Sequence, residues 1–457
     1  MYYGTGAFLP QGGGNMLEFL ADALWGWHVL VLILAAGLWF SIRTGFFQVR
    51  RVSLWVKTAL GSPKEARGRG RVSPFQALTT ALAGSLGTGN ILGVGVAITV
   101  GGPGSLFWMW ASALLGMMTV FAENLLAARH RGAPGALGYI EAVGRPLALV
   151  YGAGCCLASL GMGNLVQANA AAAACQRLGA PPLAVGAVLG VLVFWVARGG
   201  LACAARLTEK LVPAMAALFF AASLGVLWVF RAELPRAVAS IFQGAFSLKA
   251  GAGGTAGMLL AMGTGVSRGV FTNEAGLGSS AFAYGEVEGR SPVELGCLGI
   301  FQVFVDTILM CTVTGLCVLC APVSAGEGAE LVFSAFESAL GPAGAGAAAV
   351  CTALFALATV TAWSCYGREG LFYLTKGRGG DLFALASAAA ACLGCLLPLG
   401  AVFRLGDAMN GLLALPNLAA LFLLSREVVE AAAGEKPGQN RPPKKWMESL
   451  HNFLKRA

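Results

Sequence analysis

Polar side chains stand isolated inside long apolar stretches of this chain, and they gather at a few places where chemistry is possible. Thr88 and Asn90 lie in Gly84-Ser-Leu-Gly-Thr-Gly-Asn-Ile-Leu-Gly-Val-Gly-Val-Ala-Ile-Thr-Val-Gly-Gly-Pro-Gly104, where helix-breaking residues interrupt a run long enough to span a bilayer. Lipid offers unpaired backbone groups no partner, so irregular backbone at that depth must be buried in protein or line a cavity. Gly87 and Gly89 let the backbone unwind there. An exposed half-helix N-terminus then presents N–H groups and partial positive charge suited to a carboxylate. The end of the other half presents carbonyls suited to a small cation. Interrupted spans that hold a charged solute and its coupling ion are a device of secondary transporters. The competing reading is a packing face, Gly89-x-x-x-Gly93, with no ligand.

A second interruption is Arg268-Gly-Val-Phe-Thr-Asn-Glu-Ala-Gly-Leu-Gly278. An Arg and a Glu within one apolar segment are costly and point to function or to mutual pairing. For Arg268 and Glu274 a structural or gating role is favoured over substrate contact. Asn164 and Gln167 are three residues apart and share a helix face. An amide can donate to a carboxylate and accept from an ammonium, and hydrogen bonding between helices is an equal competitor. Asp306 and Thr307 interrupt another apolar span; they could neutralise a cation or serve as scaffold. Glu123, close before Arg129 and Arg131, reads as one member of an interfacial ion pair. Thr359, Thr361, Trp363 and Ser364 form a further polar cluster, in which Thr359 and Trp363 share a face. Hydroxyls and carbonyls suit a hard cation such as sodium, whereas a hydroxyl bonded back to its own helix needs no ligand.

Other chemistries lack their residues. The chain has no G-x-x-x-x-G-K-[ST] loop for a nucleotide, and no nucleophile–base pair near a membrane face. Its three histidines, His28, His130 and His451, stand near span ends or in the tail, which disfavours a histidine proton relay or metal site. Cys317/Cys320 and Cys392/Cys395 have C-x-x-C spacing, but their neighbours are apolar. A redox or metal site needs exposure and polar surroundings, so these cysteines read as small packing residues.

The elements that must position these groups are membrane helices. Of the 457 residues, 57% are hydrophobic and only 12% charged, against about 25% charged in soluble domains. Eleven apolar runs reach spanning length, near 25–43, 74–100, 105–127, 147–174, 181–197, 211–230, 253–288, 292–320, 345–366, 381–398 and 400–424. Residues 234–250 and 327–341 read as short amphipathic helices outside the membrane. A basic amphipathic piece, Trp446 to Lys455, is expected at the inner membrane surface. The net charge of +9 comes mostly from loops 43–71, 129–145, 198–210, 368–378 and 426–457, which this topology puts on one side. That is the positive-inside asymmetry; nucleic-acid binding is disfavoured. The N-terminus is expected outside and the C-terminus in the cytoplasm. Met1 to Trp27 carries no Lys or Arg, so no secretory signal is expected.

Gly87-Thr-Gly-Asn-Ile-Leu-Gly93 and Gly263-Thr-Gly-Val-Ser-Arg-Gly269 share the pattern G-T-G-x-x-x-G. Interrupted segments at matching places in two halves point to inverted repeats, and chance is the alternative in a chain with 65 glycines. The division expected is an N-terminal helix and basic loop over 1–73, a first repeat over 74–231, a second over 232–425 with an extracellular amphipathic helix, and a basic tail over 426–457.

At these residues the chain resembles the alanine/glycine:cation symporter family, the sodium:alanine symporters. The similarity runs from Ser41-Ile-Arg-Thr-Gly-Phe-Phe-Gln48 to Leu415-Pro-Asn417. Its most specific blocks are Gly87-Thr-Gly-Asn-Ile-Leu-Gly-Val94, Gly101-Gly-Pro-Gly-Ser-Leu-Phe-Trp-Met-Trp110 and Arg268-Gly-Val-Phe-Thr-Asn-Glu-Ala-Gly-Leu-Gly-Ser279. Leu207-Thr-Glu-Lys-Leu-Val-Pro213, Asp306-Thr307 and Trp363 with Tyr366-Gly367 add to it. The resemblance implies an all-α integral membrane fold of about eleven helices. Two inverted five-helix repeats, each with a discontinuous helix, would follow one extra N-terminal helix.

The resemblance also implies uptake of alanine or glycine driven by co-transported sodium. Carried over by residue, Thr88, Gly89 and Asn90 would hold the substrate carboxylate. Gln167, Phe271, Gly276 and Trp363 would line its amino and side-chain end. Sodium would sit between the first break and Thr359, with Asp306 and Thr307 as further candidate ligands. Two departures bear on the ion: Ala358-Thr359 stands where paired threonines are expected, and Arg368-Glu369 where an acidic residue should follow Tyr-Gly. The expectation is a secondary active symporter of a bacterial cytoplasmic membrane and not an enzyme. The alternatives are the same fold coupled to protons or carrying another small amino acid, and then a non-transporting sensor or channel.

Overall fold

The computed structural model describes residues 24–62, 72–246, 255–323, 326 and 328–434, and the regular elements among them are all helical. Helix α1 (Trp27–Arg43) precedes two short helices, α2 (Phe47–Arg50) and α3 (Val52–Leu60). A first half follows: α4 (Pro74–Ser85), α5 (Leu92–Gly101), α6 (Ser105–Arg129), α7 (Ala136–Val143), α8 (Arg145–Ala158), α9 (Gln167–Arg177) and α10 (Pro182–Val229). After α11 (Leu234–Phe246) comes a second half of α12 (Thr255–Asn273), α13 (Ala281–Gly285), α14 (Pro292–Val303), α15 (Thr312–Cys320), α16 (Ala329–Leu340), α17 (Pro342–Thr375), α18 (Gly380–Gly394) and α19 (Leu399–Leu423). Helix α20 (Ser425–Ala432) closes the described chain.

Each half begins with a broken helix, continues with a long helix, a short helix and a second long helix, and ends with two more apolar segments. The two halves thus repeat the same order of elements, each opening on an interrupted helix. Both halves also contain one π-helical stretch, Ser159–Val166 between α8 and α9 and Phe304–Cys311 between α14 and α15. Such insertions re-aim side chains and occur often at functional sites. One falls in the second long helix of its half and the other in the first, so they are not symmetry mates.

Local sequence explains where the helices start. Ser73 accepts from the N–H of Gln76 while the Gln76 side chain accepts from the N–H of Ser73, and Pro74 occupies the first turn. Ser291, Pro292 and Glu294 repeat this arrangement at α14. Both are capping boxes, which satisfy N–H groups a helix cannot satisfy itself. The long apolar helices bury most of their surface inward. Helix α10 is the exception: 28% of an apolar 18-residue window along it is buried, and Leu183, Val188, Val191, Trp195 and Trp228 are exposed. Exposed apolar surface on a multi-pass bundle is its lipid contact.

Three expectations change. Residues 201–210, read as part of a basic loop, are helical: the turn between the two membrane segments narrows to Gly200, whose φ of +67° only glycine adopts readily. Thr208 and Glu209 of this extension reach α4, through Thr80 at 2.9 Å and Gln76 at 2.7 Å. The second interruption begins at Glu274, because α12 is continuous through Arg268 to Asn273. The echo at Gly263–Gly269 therefore lies within an unbroken helix and does not mark the symmetry of the two breaks. The Trp446–Lys455 piece, Lys249 and residues 63–71 lie outside the described residues.

Candidate functional site

Helix α4 stops at Ser85, and the chain bends by 59° before α5. Gly87 is extended, and Thr88–Asn90 make one 3-10 turn. Every side chain here is buried, so neighbouring helices must answer the freed polar groups. Gln167, at the start of α9, accepts from both the N–H and the hydroxyl of Thr88, at 3.0 and 2.9 Å. Thr359 of α17 donates to the Ala83 carbonyl at 2.9 Å and to Phe355 of its own helix at 3.1 Å. Gln302 of α14 lies 3.4 Å from both the Ala81 carbonyl and the Ser85 hydroxyl. Close approach explains two glycines. A methyl at Gly87 would stand 2.8 Å from the Thr359 hydroxyl, and one at Gly89 would stand 2.9 Å from the Thr272 methyl and 3.3 Å from the Phe271 ring.

Asn90 points across to the π-helical stretch of the second half. Its amide donates to the Asp306 carboxylate at 2.8 Å and to the Asp306 carbonyl at 2.9 Å. Thr307 donates to the other Asp306 oxygen at 2.7 Å, and the Thr272 and Thr307 hydroxyls are 3.2 Å apart. The Asn90 Oδ1 atom is buried with no hydrogen-bond partner. Asn90, Asp306, Thr307 and Thr272 thus form a compact group of oxygens, one of them unanswered.

The second break spans Glu274 to Ser280 and is built differently. Glu274, Gly276 and Gly278 adopt φ of +57°, +89° and +70°. Glu274 is the non-glycine residue of the three, in a conformation that costs about 1–2 kcal/mol. Its carboxylate accepts from the Trp363 indole at 2.8 Å and the Ser279 hydroxyl at 2.5 Å. Trp363 packs edge-on to Tyr366, and Tyr366 stacks on Phe282 of α13 at 5.6 Å. The N–H groups of Gly276 and Gly278 donate to Glu123 at 2.9 and 3.1 Å.

Several sequence expectations resolve against this geometry. Thr88, Gly89, Asn90, Gln167, Phe271, Asp306, Thr307 and Thr359 converge on the first break. Trp363 reaches the second break instead, through Glu274. Gly276 lies with its N–H on Glu123 and its Cα facing Ile33 of α1. Asn164 separates from Gln167: it accepts from Ser364 at 3.2 Å and donates to Ser159, tying α17 to the π-helical stretch. The hydrogen bonds of Glu274 go to Trp363 and Ser279, while Arg268 lies over the Phe271 ring at 5.6 Å.

Glu123 is not interfacial. It is fully buried, and Arg129 and Arg131 turn instead to Glu427 and to the Val287 carbonyl. The signal for it was only a charge within an apolar span. Asn417, Tyr139 and Tyr151, which complete its surroundings, gave none. All twelve cysteines are free, and several thiols bond to carbonyls of neighbouring helices, as from Cys155 to Tyr366 and from Cys395 to Ala168.

Among the described residues none of Glu123, Glu274 and Asp306 forms an ion pair. Three carboxylates buried at membrane depth without a counter-charge are costly unless something positive or a proton joins them. A membrane bundle with two broken helices and buried acceptors at the breaks is the architecture of a secondary transporter. The fold is shared with the solved structure of MhsT in complex with L-phenylalanine, with a TM-score of 0.57 at 18% identity, covering 83% of this chain and 95% of that one.

The chain belongs to the sodium:alanine symporter family, whose model matches residues 12–436. It is 36% identical to the sodium/alanine symporter AgcS of Methanococcus maripaludis, over 91% of this chain and 95% of that protein. It is 31% identical to the probable sodium/glutamine symporter GlnT of Bacillus subtilis, over 90% of this chain and 88% of that one. The protein is thus a multi-pass membrane transporter.

Proposed function

We propose that the protein imports a small neutral amino acid, alanine or glycine, together with sodium, by alternating access around the first break. The observation that carries this reading is the group formed by Asn90, Asp306, Thr307 and Thr272, with its unpartnered Asn90 oxygen and its uncompensated carboxylate. Oxygen donors and a negative charge match a hard cation. A sodium ion there would neutralise Asp306 and offer its own charge to the substrate carboxylate, which the backbone of Thr88, Gly89 and Asn90 would receive. A second sodium position is supported by Thr359 and the Ala83 carbonyl, which already touch across α17 and α4. Ala358 supplies no hydroxyl, so that position relies more on backbone oxygens.

Gln167 would turn between Thr88 and the substrate, since its amide can exchange one partner for the other. Phe271, against Gly89, and Trp363 would close the amino and side-chain end. Gly276 contributes the bend that sets them. Crowding of Gly87 and Gly89 by Thr359, Gln167, Thr272 and Phe271 leaves little width, which favours a small side chain. The charge asymmetry of the basic loops supports a cytoplasmic C-terminus and an outside N-terminus, in a bacterial cytoplasmic membrane.

The test is uptake of labelled alanine into proteoliposomes under imposed sodium, potassium or proton gradients. Sodium-driven accumulation that falls more than about tenfold in Asn90→Ala, the loss of a hydrogen bond to a charged group, supports the reading. Accumulation driven by protons alone moves coupling to Asp306 or Glu274. Sodium-driven accumulation of glutamine but not alanine replaces the substrate and keeps the ion.

A further inference from the structure

We propose that Glu123 is the positioning residue of the second break. One of its oxygens holds Gly276 and Gly278 in the left-handed conformation, and through them sets where Phe271 and Glu274 stand against the first break.

A backbone that leaves helical geometry inside a membrane must find partners for each N–H, and at Glu274 to Gly278 the partners can be named in full. Glu274 donates to the Val270 carbonyl, Ala275 to the Asn273 side chain, and Leu277 to the Glu274 carbonyl. Those three bonds are local. The two remaining N–H groups, of Gly276 and Gly278, both go to Glu123 Oε1 on α6, a helix of the other half. The bend at the two positive-φ glycines is thus held from outside its own segment by one atom.

That atom is itself fixed. Asn417 of α19 donates to Glu123 Oε1 at 2.7 Å, and Tyr139 of α7 donates to the Asn417 oxygen at 2.5 Å. Tyr151 of α8 donates to the Leu277 carbonyl at 2.8 Å, between the two glycines. Helices α6, α7, α8 and α19 therefore grip one turn of backbone, and Glu123 is the hub. Its second oxygen, Oε2, is buried with no partner, so the work falls on Oε1.

Asp306 provides a parallel. Glu123 lies on the first long helix of the first half and serves the break of the second. Asp306 lies on the first long helix of the second half and serves the break of the first, through Asn90. Each half anchors the other's interruption with a carboxylate. The anchors differ in kind: Asp306 meets a side chain beside an unanswered oxygen, whereas Glu123 meets only backbone N–H and Asn417.

The functional readout rests on the transport reading above, so the experiment has one arm that does not. Hydrogen exchange across residues 274–280 is compared in wild type, Glu123→Ala and Glu123→Gln, alongside sodium-driven alanine uptake normalised to folded protein. Glu123→Ala is expected to speed exchange in this segment at least about tenfold, as loss of hydrogen bonds to a charged acceptor should. It should also raise the KM for alanine about tenfold, because binding must then order the break. Glu123→Gln keeps an acceptor oxygen at Oε1 for both glycine N–H groups and for Asn417, so both readouts should stay within about threefold of wild type. The inference is overturned if exchange over 274–280 is unchanged in Glu123→Ala. It is equally overturned if that variant keeps a wild-type KM and merely yields fewer folded molecules, or if Glu123→Gln behaves like Glu123→Ala. Should the wild type transport no alanine, the transport reading fails while the exchange arm still decides the role of Glu123.

Discussion

The two breaks interrupt their helices at comparable places and solve the same problem in opposite ways. The first is short: one extended glycine and one tight turn, a 59° bend, and an Asn90 oxygen left without a partner. The second needs three residues at positive φ, yet the protein itself answers each N–H from Glu274 to Gly278. Helix-breaking sequence creates backbone demand in both. Much of that demand is met inside the protein in both, by Gln167 and local carbonyls in the first and by Glu123 in the second. What differs is what stands beside the break: in the first, a cluster of hydroxyl, amide and carboxylate oxygens with the Asn90 oxygen open.

If that contrast holds, variants should divide into those that change ligand affinity and those that change stability. The largest effect is expected from Asp306→Asn. It should raise the sodium concentration for half-maximal uptake about a hundredfold, as loss of a buried charge partner does, whereas Glu274→Gln should shift it less than about threefold because Glu274 bonds to Trp363 and Ser279, outside the group of Asn90, Asp306, Thr307 and Thr272. Equal shifts would erase the distinction. Next, Gly87→Ala should lower alanine uptake about tenfold with little change in thermal midpoint. The added methyl meets the Thr359 and Gln167 oxygens at 2.8 and 3.0 Å; these are side-chain ends that can rotate away at small cost to the fold, but only by leaving the Ala83 carbonyl and Thr88.

Gly276→Ala should act on the fold instead. An alanine at φ +89° beside Ile33 is expected to cost about 1–2 kcal/mol, read as a lowered thermal midpoint in detergent even without sodium. The smallest effect should come from Ser279→Ala, which removes one of two donors to Glu274. Hydrogen bonds between membrane segments average about 0.6 kcal/mol, so stability should fall by about that amount. A loss as large as that of Gly276→Ala would mean the Glu274 side chain, and not the glycine backbone, carries the second break.

Much of this was legible in the residues. Hydropathy marked the helices because lipid allows few alternatives, and the glycines of 84–104 marked the first break because no other residue type tolerates such crowding. The polar residues Thr88, Asn90, Gln167, Asp306 and Thr359 could be chosen as candidates since each is conspicuous in an apolar span. The extent of helix around 201–210 was not legible, because its charged face looks like a loop until α4 supplies partners for Thr208 and Glu209. Nor was the true start of the second break, where the glycines at 263–269 repeat a motif without breaking anything.

The sequence by itself therefore determined that this is a helical membrane protein, that two of its segments are interrupted, and which polar residues lie at membrane depth. Only the tertiary structure decided which of those residues face one another. It joined Asn90 to Asp306, 216 positions away, and Glu123 to the glycines of the other half. It also separated Asn164 from the neighbouring Gln167. Spacing along a chain reports the face of one helix, and the partner across a membrane interface is set by how whole helices pack.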